Sequence, residues 1–597
     1  MKSLSLSILI LCTSFVSVAW SQQPGCDASA SNSCADLHTN NIPQVQHVIV
    51  LIQENRTPDN LFGSDAFASQ RQLPGADLVQ HGLCGSKQIP LQSRNLGNAC
   101  DPRHSHKTAW IPTYDKGKMD GACRIPTTSC SGKNPEYTYV QSSNVVPLFQ
   151  IAQQYGYANY MFQTNQGPSF AAHQFLLAGS SAPTSFSDPT LCLDPVTMKS
   201  SPCYQWFSAE LTSPAGGKGY GCAALQTIIP DIDPAGNEAN AYNNGQPCYN
   251  HNTLVTLLDN QTPPISWKYY AQASSSDLRS TPAESLWTAP NAIYDICMPL
   301  NGKQTDCDGY DWKNYVQSVF PNAAKYPNSY SPILTDLGAD PNQPQCSLPA
   351  VSWVVPDGNW SDHASLDPSG TGPSWIAAIV NAVGGYDNNN RKLATNCGYW
   401  ANTVVLITWD DWGGWYDHVL PWRCNNAGLC SGYPGGLDGA GSEYVYGFRV
   451  PLLVVSAYAK PGYISGACGQ PRQPSCPNQK QRYIHDFGSI LNFIEYAFGR
   501  GGVPLSFPAF PGKGISPSYP YADAFAPDGA IVCGARCPHP YSLSDFFNFA
   551  TPRTFTPIVG SKLKPTGCFL IPTTVGCFVN FTPADPDSDT NDRDEED

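Results

Sequence analysis

The runs His47-Val48-Ile49-Val50-Leu51-Ile52-Gln53-Glu54-Asn55 and Asn402-Thr403-Val404-Val405-Leu406-Ile407-Thr408-Trp409-Asp410-Asp411 decide the fold. Each is a continuous apolar stretch, the pattern of a strand buried on both faces in a parallel sheet. Each ends abruptly in ligand-type residues. Open α/β sheets build their sites just beyond the carboxyl ends of the strands. If these two strands are neighbours, Glu54, Asp410 and Asp411 bring three carboxylates, and Asn55 an amide oxygen, to one point. Three such charges repel, and one would ordinarily take up a proton. A bound divalent cation removes that cost, so the strand ends predict an oxygen-ligand metal site. The plainer reading of Glu54-Asn55 is a strand running into a turn with Asn55 as a helix cap. Two adjacent acids after an apolar strand, followed by Gly413-Gly414, are harder to explain as structure. The glycines would let backbone approach a ligand closely.

Outward from these runs, further strands are expected at Pro264–Tyr270, Ala350–Val355 and Val450–Ser456. Helices are expected at Val146–Gly156, closed by its glycine, and at Phe170–Ala178, Trp312–Phe320, Trp375–Val383 and Asp486–Phe498. Strands alternating with helices predict a three-layer α/β/α architecture with a mostly parallel sheet. Residues 44–500 form the expected catalytic domain. Within it, 196–250 is an irregular, Cys-rich insertion, and 501–583 is a Cys- and Pro-rich extension.

Composition is globular, with 41% hydrophobic and 13% charged residues, and 54 prolines and 50 glycines predict abundant loop. Of the net charge of −14, the tail 584–597 supplies −7, from eight acids and Arg593. Such a run reads as a solvated disordered end. No basic face points to nucleic acid. Residues 1–21 read as a signal peptide: Lys2, an apolar Leu4–Val18 and a small-x-small Ala19-Trp20-Ser21. No other stretch is long and apolar enough to span a membrane. The expected location is secreted or periplasmic. Of 23 cysteines, Cys12 lies in the signal, leaving 22, an even number that predicts disulfides. The close pairs Cys123/Cys130, Cys424/Cys430, Cys468/Cys476, Cys533/Cys537 and Cys568/Cys577 read as local staples. Zinc is the weaker reading, since no Cys-x-x-Cys occurs.

A second chemical candidate is Gly167-Pro168-Ser169-Phe170. A serine at a turn entering a helix exposes its hydroxyl among free backbone N–H groups, which favour an anion such as phosphate. The commoner role of such a serine is an N-cap. Serine needs a base or a metal to become a nucleophile, and the metal site could supply that. His173, four residues on, falls on the same helical face. His104, His363 after a strand, and His418 after the second dyad complete the set. Histidine donates protons and binds phosphate oxygens near neutral pH.

Taken together, these motifs resemble the bacterial phosphoesterase family of phosphatidylcholine-type phospholipases C and AcpA-like acid phosphatases. The matches are Gln53-Glu54-Asn55-Arg56-Thr57, Lys116–Gly121, Met161–Thr164 running into Gly167–Phe170, and Leu348–Pro356. They continue with Ser361-Asp362-His363, Gly372–Trp375, Trp409–His418 and Gly447–Pro451. The resemblance implies an alkaline-phosphatase-like fold and a phosphate-ester hydrolase. It implies Glu54, Asn55, Asp410, Asp411 and Ser169 as metal ligands, Ser169 as nucleophile, and His104 and His363 beside the phosphate. One departure stands out. Thr288-Ala289-Pro290-Asn291-Ala292 lacks the histidine that acid phosphatases of the family carry in a Lys-His-Asn-Pro-like stretch.

The expected mechanism is in-line attack by Ser169 on phosphorus, a histidine protonating the leaving alcohol, and hydrolysis of the phosphoserine by water. All-oxygen ligands favour Ca²⁺, Mg²⁺ or Mn²⁺, with Fe and Zn as alternatives. The expected substrate is a phosphoester small molecule or a phospholipid headgroup. The rivals are a phospholipase C on phosphatidylcholine-type lipids and an inactive secreted binding protein on the same fold.

Overall fold

In the computed structural model, the structure describes residues 40–63, 73–97, 100–125, 130, 132–179, 181, 207–208, 221–223, 231–232, 238–239, 247–249, 253–274, 281–298, 306–320, 330–341, 343, 345–363, 370–387, 390–421, 446–467, 484–506 and 541–559. The expected signal peptide and acidic tail lie outside these residues, as do the cysteine pairs Cys424/Cys430, Cys468/Cys476, Cys533/Cys537 and Cys568/Cys577.

The core is an eight-stranded sheet. In chain order its strands are β1 His47–Gln53, β2 Gly156–Ala158, β3 Trp267–Ala271, β4 Val316–Ser318, β5 Val351–Val354, β6 Thr403–Trp409, β7 Leu452–Ser456 and β8 Tyr463–Ser465. Their spatial order is β4-β3-β5-β1-β6-β7-β2-β8. Only β7 is antiparallel to its neighbours. The two apolar runs form the centre: β1 and β6 pair in parallel from His47↔Thr403 to Gln53↔Trp409. Their β-branched residues suit a pleated surface covered on both sides. Val48 through Ile52 and Val404 through Ile407 are wholly buried.

Five of the described helices are α1 Pro58–Phe62, α2 Val146–Gln154, α3 Ser169–Ala178, α4 Gly372–Val383 and α5 Phe487–Phe498. Helix α3 packs with α5, and α2 with α4, completing the α/β/α layers. All ten residues of α3 and all twelve of α4 are buried. Helices buried on every side lie inside the body, and α3 is bolted to the sheet by Trp353 Nε1–H donating to Leu176 O at 3.0 Å.

Several local expectations change. Helix α2 stops at Gln154, and Gly156 opens β2 instead of capping the helix. A Cβ at Gly156 would lie 2.5 Å from the Phe546 ring, so the glycine serves packing. The expected helix Trp312–Phe320 splits into a helix over Tyr310–Tyr315 and edge strand β4, because Val316-Gln317-Ser318 pairs with β3. The cap of α1 is Thr57, whose Oγ1 accepts from Asn60 N at 3.1 Å, and not Asn55.

Among the described residues, disulfides join Cys84–Cys123, Cys100–Cys130, Cys222–Cys248, Cys297–Cys307 and Cys346–Cys397. Cys123 and Cys130 are therefore each bonded elsewhere, not to one another. Cys222–Cys248 joins two positions within 196–250. Residues 541–559 close the body: Asp545 accepts from Ser465 Oγ at 2.6 Å, and Asn381 exchanges two hydrogen bonds with Ile558. Among the described residues, no helix is long and apolar enough to cross a membrane.

Candidate functional site

The register of β1 and β6 places the two dyads side by side. Because Gln53 pairs with Trp409, Glu54 lies across from Asp410, and Asn55 across from Asp411. The ladder continues past the strands through Asp410 N–H to Gln53 O (2.9 Å) and Arg56 N–H to Asp411 O (2.9 Å). Backbone N–H groups hold the carboxylates. Asp410 Oδ1 accepts from Asn55 N (2.9 Å) and Asp411 N (2.7 Å), and Asp411 Oδ1 from Gly413 N (2.7 Å). Asn55 sits at φ 60°, a left-handed conformation that asparagine tolerates better than most residues.

Gly413 and Gly414 also have positive φ, 60° and 71°. The room they leave is taken by protein backbone. A Cβ at Gly413 would lie 2.5 Å from Asn55 O, and one at Gly414 2.4 Å from Arg103 O. These close approaches bring the β6 loop against the β1 loop and against the segment carrying His104.

Helix α3 supplies the facing wall. Its N-cap is Pro168, without a side-chain capping bond, and Ser169 is its first residue. Ser169 Oγ donates to Asp411 Oδ2 at 3.1 Å and lies 3.5 Å from Asn55 Oδ1. One turn on, His173 Nε2 lies 3.1 Å from Glu54 Oε1 and 3.8 Å from Asp410 Oδ2. The turn before α3 is braced by Gln163, whose amide donates to Asn165 O (2.9 Å) and Gly167 O (3.2 Å) while its Oε1 accepts from Trp412 N (2.8 Å). Sequence reasoning misses Gln163 as a site residue, although it stands inside the Met161–Thr164 motif; a buried amide needs every bond it can make.

The histidines divide. His104 Nδ1 donates to Pro102 O at 3.0 Å, so Nε2, 3.1 Å from Asn55 Nδ2, is turned to the dyads as the acceptor of the Asn55 amide. His363 follows β5, the other neighbour of β1, and its ring centroid is 6.4 Å from that of His104. The loop before it is fixed by Gln53, which donates to Trp360 O (3.1 Å) and accepts from Asp362 N (2.8 Å). Arg56 donates to Asp362 O through Nε (2.9 Å) and an Nη (2.6 Å). Burial lowers the Arg56 guanidinium to about 10, Asp362 and Asp101 opposing, so it stays charged at neutral pH.

His418 lies in a different cluster. Its Nδ1 is 2.7 Å from Asp59 and its Nε2 3.2 Å from Asp77. Arg449 forms a bidentate pair with Asp417 there (2.8 and 2.9 Å) and lies 3.7 Å from Asp59. The group Asp59, Asp417 and His418 has metal-ligand spacing, but the guanidinium already supplies its cation. A buried Ser465, His485 and Asp545 also meet, yet Asp545 accepts from the serine, an arrangement of structural bonds rather than a serine–histidine relay.

The dyad site fits a divalent cation. Glu54, Asn55, Ser169, Asp410 and Asp411 are none of them measurably exposed, and His104, His173 and His363 are each 1% exposed. Asp410 Oδ2 is buried without a hydrogen-bond partner. Glu54, His173 and Asp410 offer ligand atoms within 4.8 Å of one another. Buried carboxylates this close need a compensating positive charge, and the oxygen donors suit a hard one.

Comparison with known proteins places the chain in a family. A model of the Phosphoesterase family matches residues 45–501. A hemolytic phospholipase C of Pseudomonas aeruginosa is 22% identical over 500 residues, 78% of this chain and 54% of that protein. Phospholipase C B of Mycobacterium tuberculosis is 26% identical over 266 residues, 40% of this chain and 43% of that protein. The chain thus spans about half the length, or less, of these relatives.

Proposed function

From the premise that the chain belongs to the Phosphoesterase family, we propose that it is a metal-dependent phosphoester hydrolase with Ser169 as its nucleophile. The observation that carries this reading is the meeting of Ser169 Oγ with Asp411 and Asn55 at the ends of two paired parallel strands. Glu54, Asn55, Asp410, Asp411 and Ser169 Oγ would hold the cation. When bound, it would neutralise the carboxylates, draw charge from a phosphate oxygen and lower the pKa of the serine hydroxyl.

The chain's own groups do the rest. Ser169 is the first residue of α3, and the N-terminus of a helix favours phosphoryl oxygens. Ser169 Oγ is aimed by its bond to Asp411 Oδ2, which also accepts its proton. Oγ then bonds to phosphorus as the ester P–O bond breaks. The leaving alcohol takes a proton from His363. The Asn55–His104 contact supports giving His104 the orienting role and His363 the acid role. In the second half-reaction water adds to the phosphoserine and gives a proton to His363, the P–Oγ bond breaks, and Ser169 Oγ takes back its proton from Asp411.

The names of the relatives favour a phosphodiester of the phospholipid-headgroup type as substrate. The missing histidine at Ala289 also separates this chain from the monoesterase pattern. The five disulfides among the described residues support an exported location. A panel of p-nitrophenyl phosphate, p-nitrophenylphosphorylcholine and phosphatidylcholine, with elemental analysis of the purified protein, tests the reading. Ser169→Ala should lower turnover on the order of 10⁴-fold or more, as loss of a covalent nucleophile does elsewhere, with an unchanged circular dichroism spectrum. Turnover near wild type would remove Ser169 from this role. No bound metal and no turnover by the wild type would leave a binding protein on the same fold.

A further inference from the structure

The site is built as two rows crossed by one helix. The outer row is Asn55 and Asp411, and it is met by Ser169 at 3.5 and 3.1 Å. The inner row is Glu54 and Asp410, and it is met by His173 at 3.1 and 3.8 Å. The match follows from geometry. Residues four apart on a helix share a face and are about 6 Å apart along its axis, enough to span two successive residues on each of two strands. Ser169 has a proposed chemical role in the outer row. His173, 1% exposed in the middle of a wholly buried helix, hydrogen-bonds one inner-row carboxylate through Nε2 and lies 3.8 Å from the other.

We propose that His173 is a positioning residue for the cation. Its Nε2–H donates to Glu54 Oε1 at 3.1 Å, which fixes that carboxylate to the helix. The same nitrogen lies beyond hydrogen-bond reach of Asp410 Oδ2, an oxygen with no hydrogen-bond partner and therefore left to the metal. His173 thus orients a ligand from outside the coordination sphere and is not itself a nitrogen ligand. Donors in such positions orient metal carboxylates, and losing one typically lowers metal affinity 10–100-fold. This inference rests on the dyads being a cation site.

Manganese binding to the full-length protein, read by the loss of the free Mn²⁺ resonance on titration, tests it without reference to turnover. Wild type should bind one ion. His173→Ala should bind 10–100-fold more weakly. His173→Gln, whose amide N–H can occupy the Nε2 position, should recover affinity to within a few-fold. Pulsed paramagnetic resonance of the wild-type complex should lack the strong ¹⁴N coupling of a directly bound imidazole. If His173→Ala binds as wild type does, the inference falls while the cation site stands. If His173→Gln folds yet binds as weakly as His173→Ala, or if direct ¹⁴N coupling appears, the donor role is refuted. If wild type binds no ion, the cation site and the inference fall together. Should His173→Ala not fold, His173→Gln and the wild-type spectrum decide.

Discussion

Gly413→Ala should damage the site far more than it damages the fold. Gly413 has φ 60°, and a Cβ there would lie 2.5 Å from Asn55 O, where ordinary contact begins at 3.4 Å. The deficit, 3.4 − 2.5, is 0.9 Å, and it falls on backbone that cannot swing aside. Asn55 must therefore retreat by roughly that distance, against the ~0.5 Å tolerance of preorganised sites. A displacement of about 1 Å costs on the order of 10²-fold in rate. The backbone conformation adds about 1–2 kcal/mol for a residue with a Cβ, partly offset by about 0.4–1 kcal/mol from the stiffer unfolded chain. Gly501 supplies the control: its φ is 63°, and nothing lies within 4 Å of its Cβ position. Gly501→Ala should lose about 1 kcal/mol in urea unfolding and retain kcat. Gly413→Ala should lose at least as much stability and about 10²-fold in kcat toward p-nitrophenylphosphorylcholine. A kcat within twofold of wild type for Gly413→Ala would refute the reasoning, as would equal activity losses in the two variants.

Three other outcomes are expected. Replacing Cys100 and Cys130 by serine removes a cross-link over 30 residues, worth about 3–4 kcal/mol on the chain-entropy model; it also frees the segment carrying His104, so unfolding midpoint and kcat should fall together. Asp417→Ala leaves the Arg449 guanidinium, 0% exposed, without its bidentate partner; urea unfolding should show a loss of about 3–5 kcal/mol, and a loss under 1 kcal/mol would mean the ion network is dispensable. Burial alone would lower the His418 pKa, but Asp59 and Asp77 outweigh it and carry it up to about 10. The folded protein therefore holds this proton more tightly than the unfolded chain, so the contribution is complete below about 6.5 and disappears as pH rises toward 10. Unfolding free energy measured across that window should fall less steeply in His418→Gln; an identical slope would refute the assignment.

Legibility in the sequence follows physical signal strength. The central strands are legible because few structural roles suit an apolar run that ends in Glu54-Asn55 or Asp410-Asp411, and the register of Gln53 against Trp409 joins them as expected. Ser169 and His173 are legible as one helical face. That the two serve different rows is not, because strand register is absent from local pattern. Val316-Gln317-Ser318 carries a periodicity short enough to continue the preceding helix, and only the edge of β3 decides otherwise. Cys123 and Cys130 lie close in sequence, but their partners are chosen by tertiary proximity that spacing does not encode. His418 follows a dyad by only seven residues, yet the loop turns it toward Asp59 and Asp77. Gln163 and Gln53 carry no catalytic signature, since uncharged amides disclose their importance only through what they tie together.

The disulfides and the sheet also set an order of events in time. The described bridges close separations of 10 to 51 residues, whereas β1 meets partners such as Val48↔Val351 and His47↔Thr403, 303 and 356 positions away. Short loops close far sooner than long ones. Thiol pairing can therefore finish along the emerging chain before the sheet has a centre. A sheet so dependent on distant partners assembles slowly. The five described bridges can thus be made while the sheet is still incomplete, so the oxidising quality of the surroundings would act on the early chain rather than on its finished form.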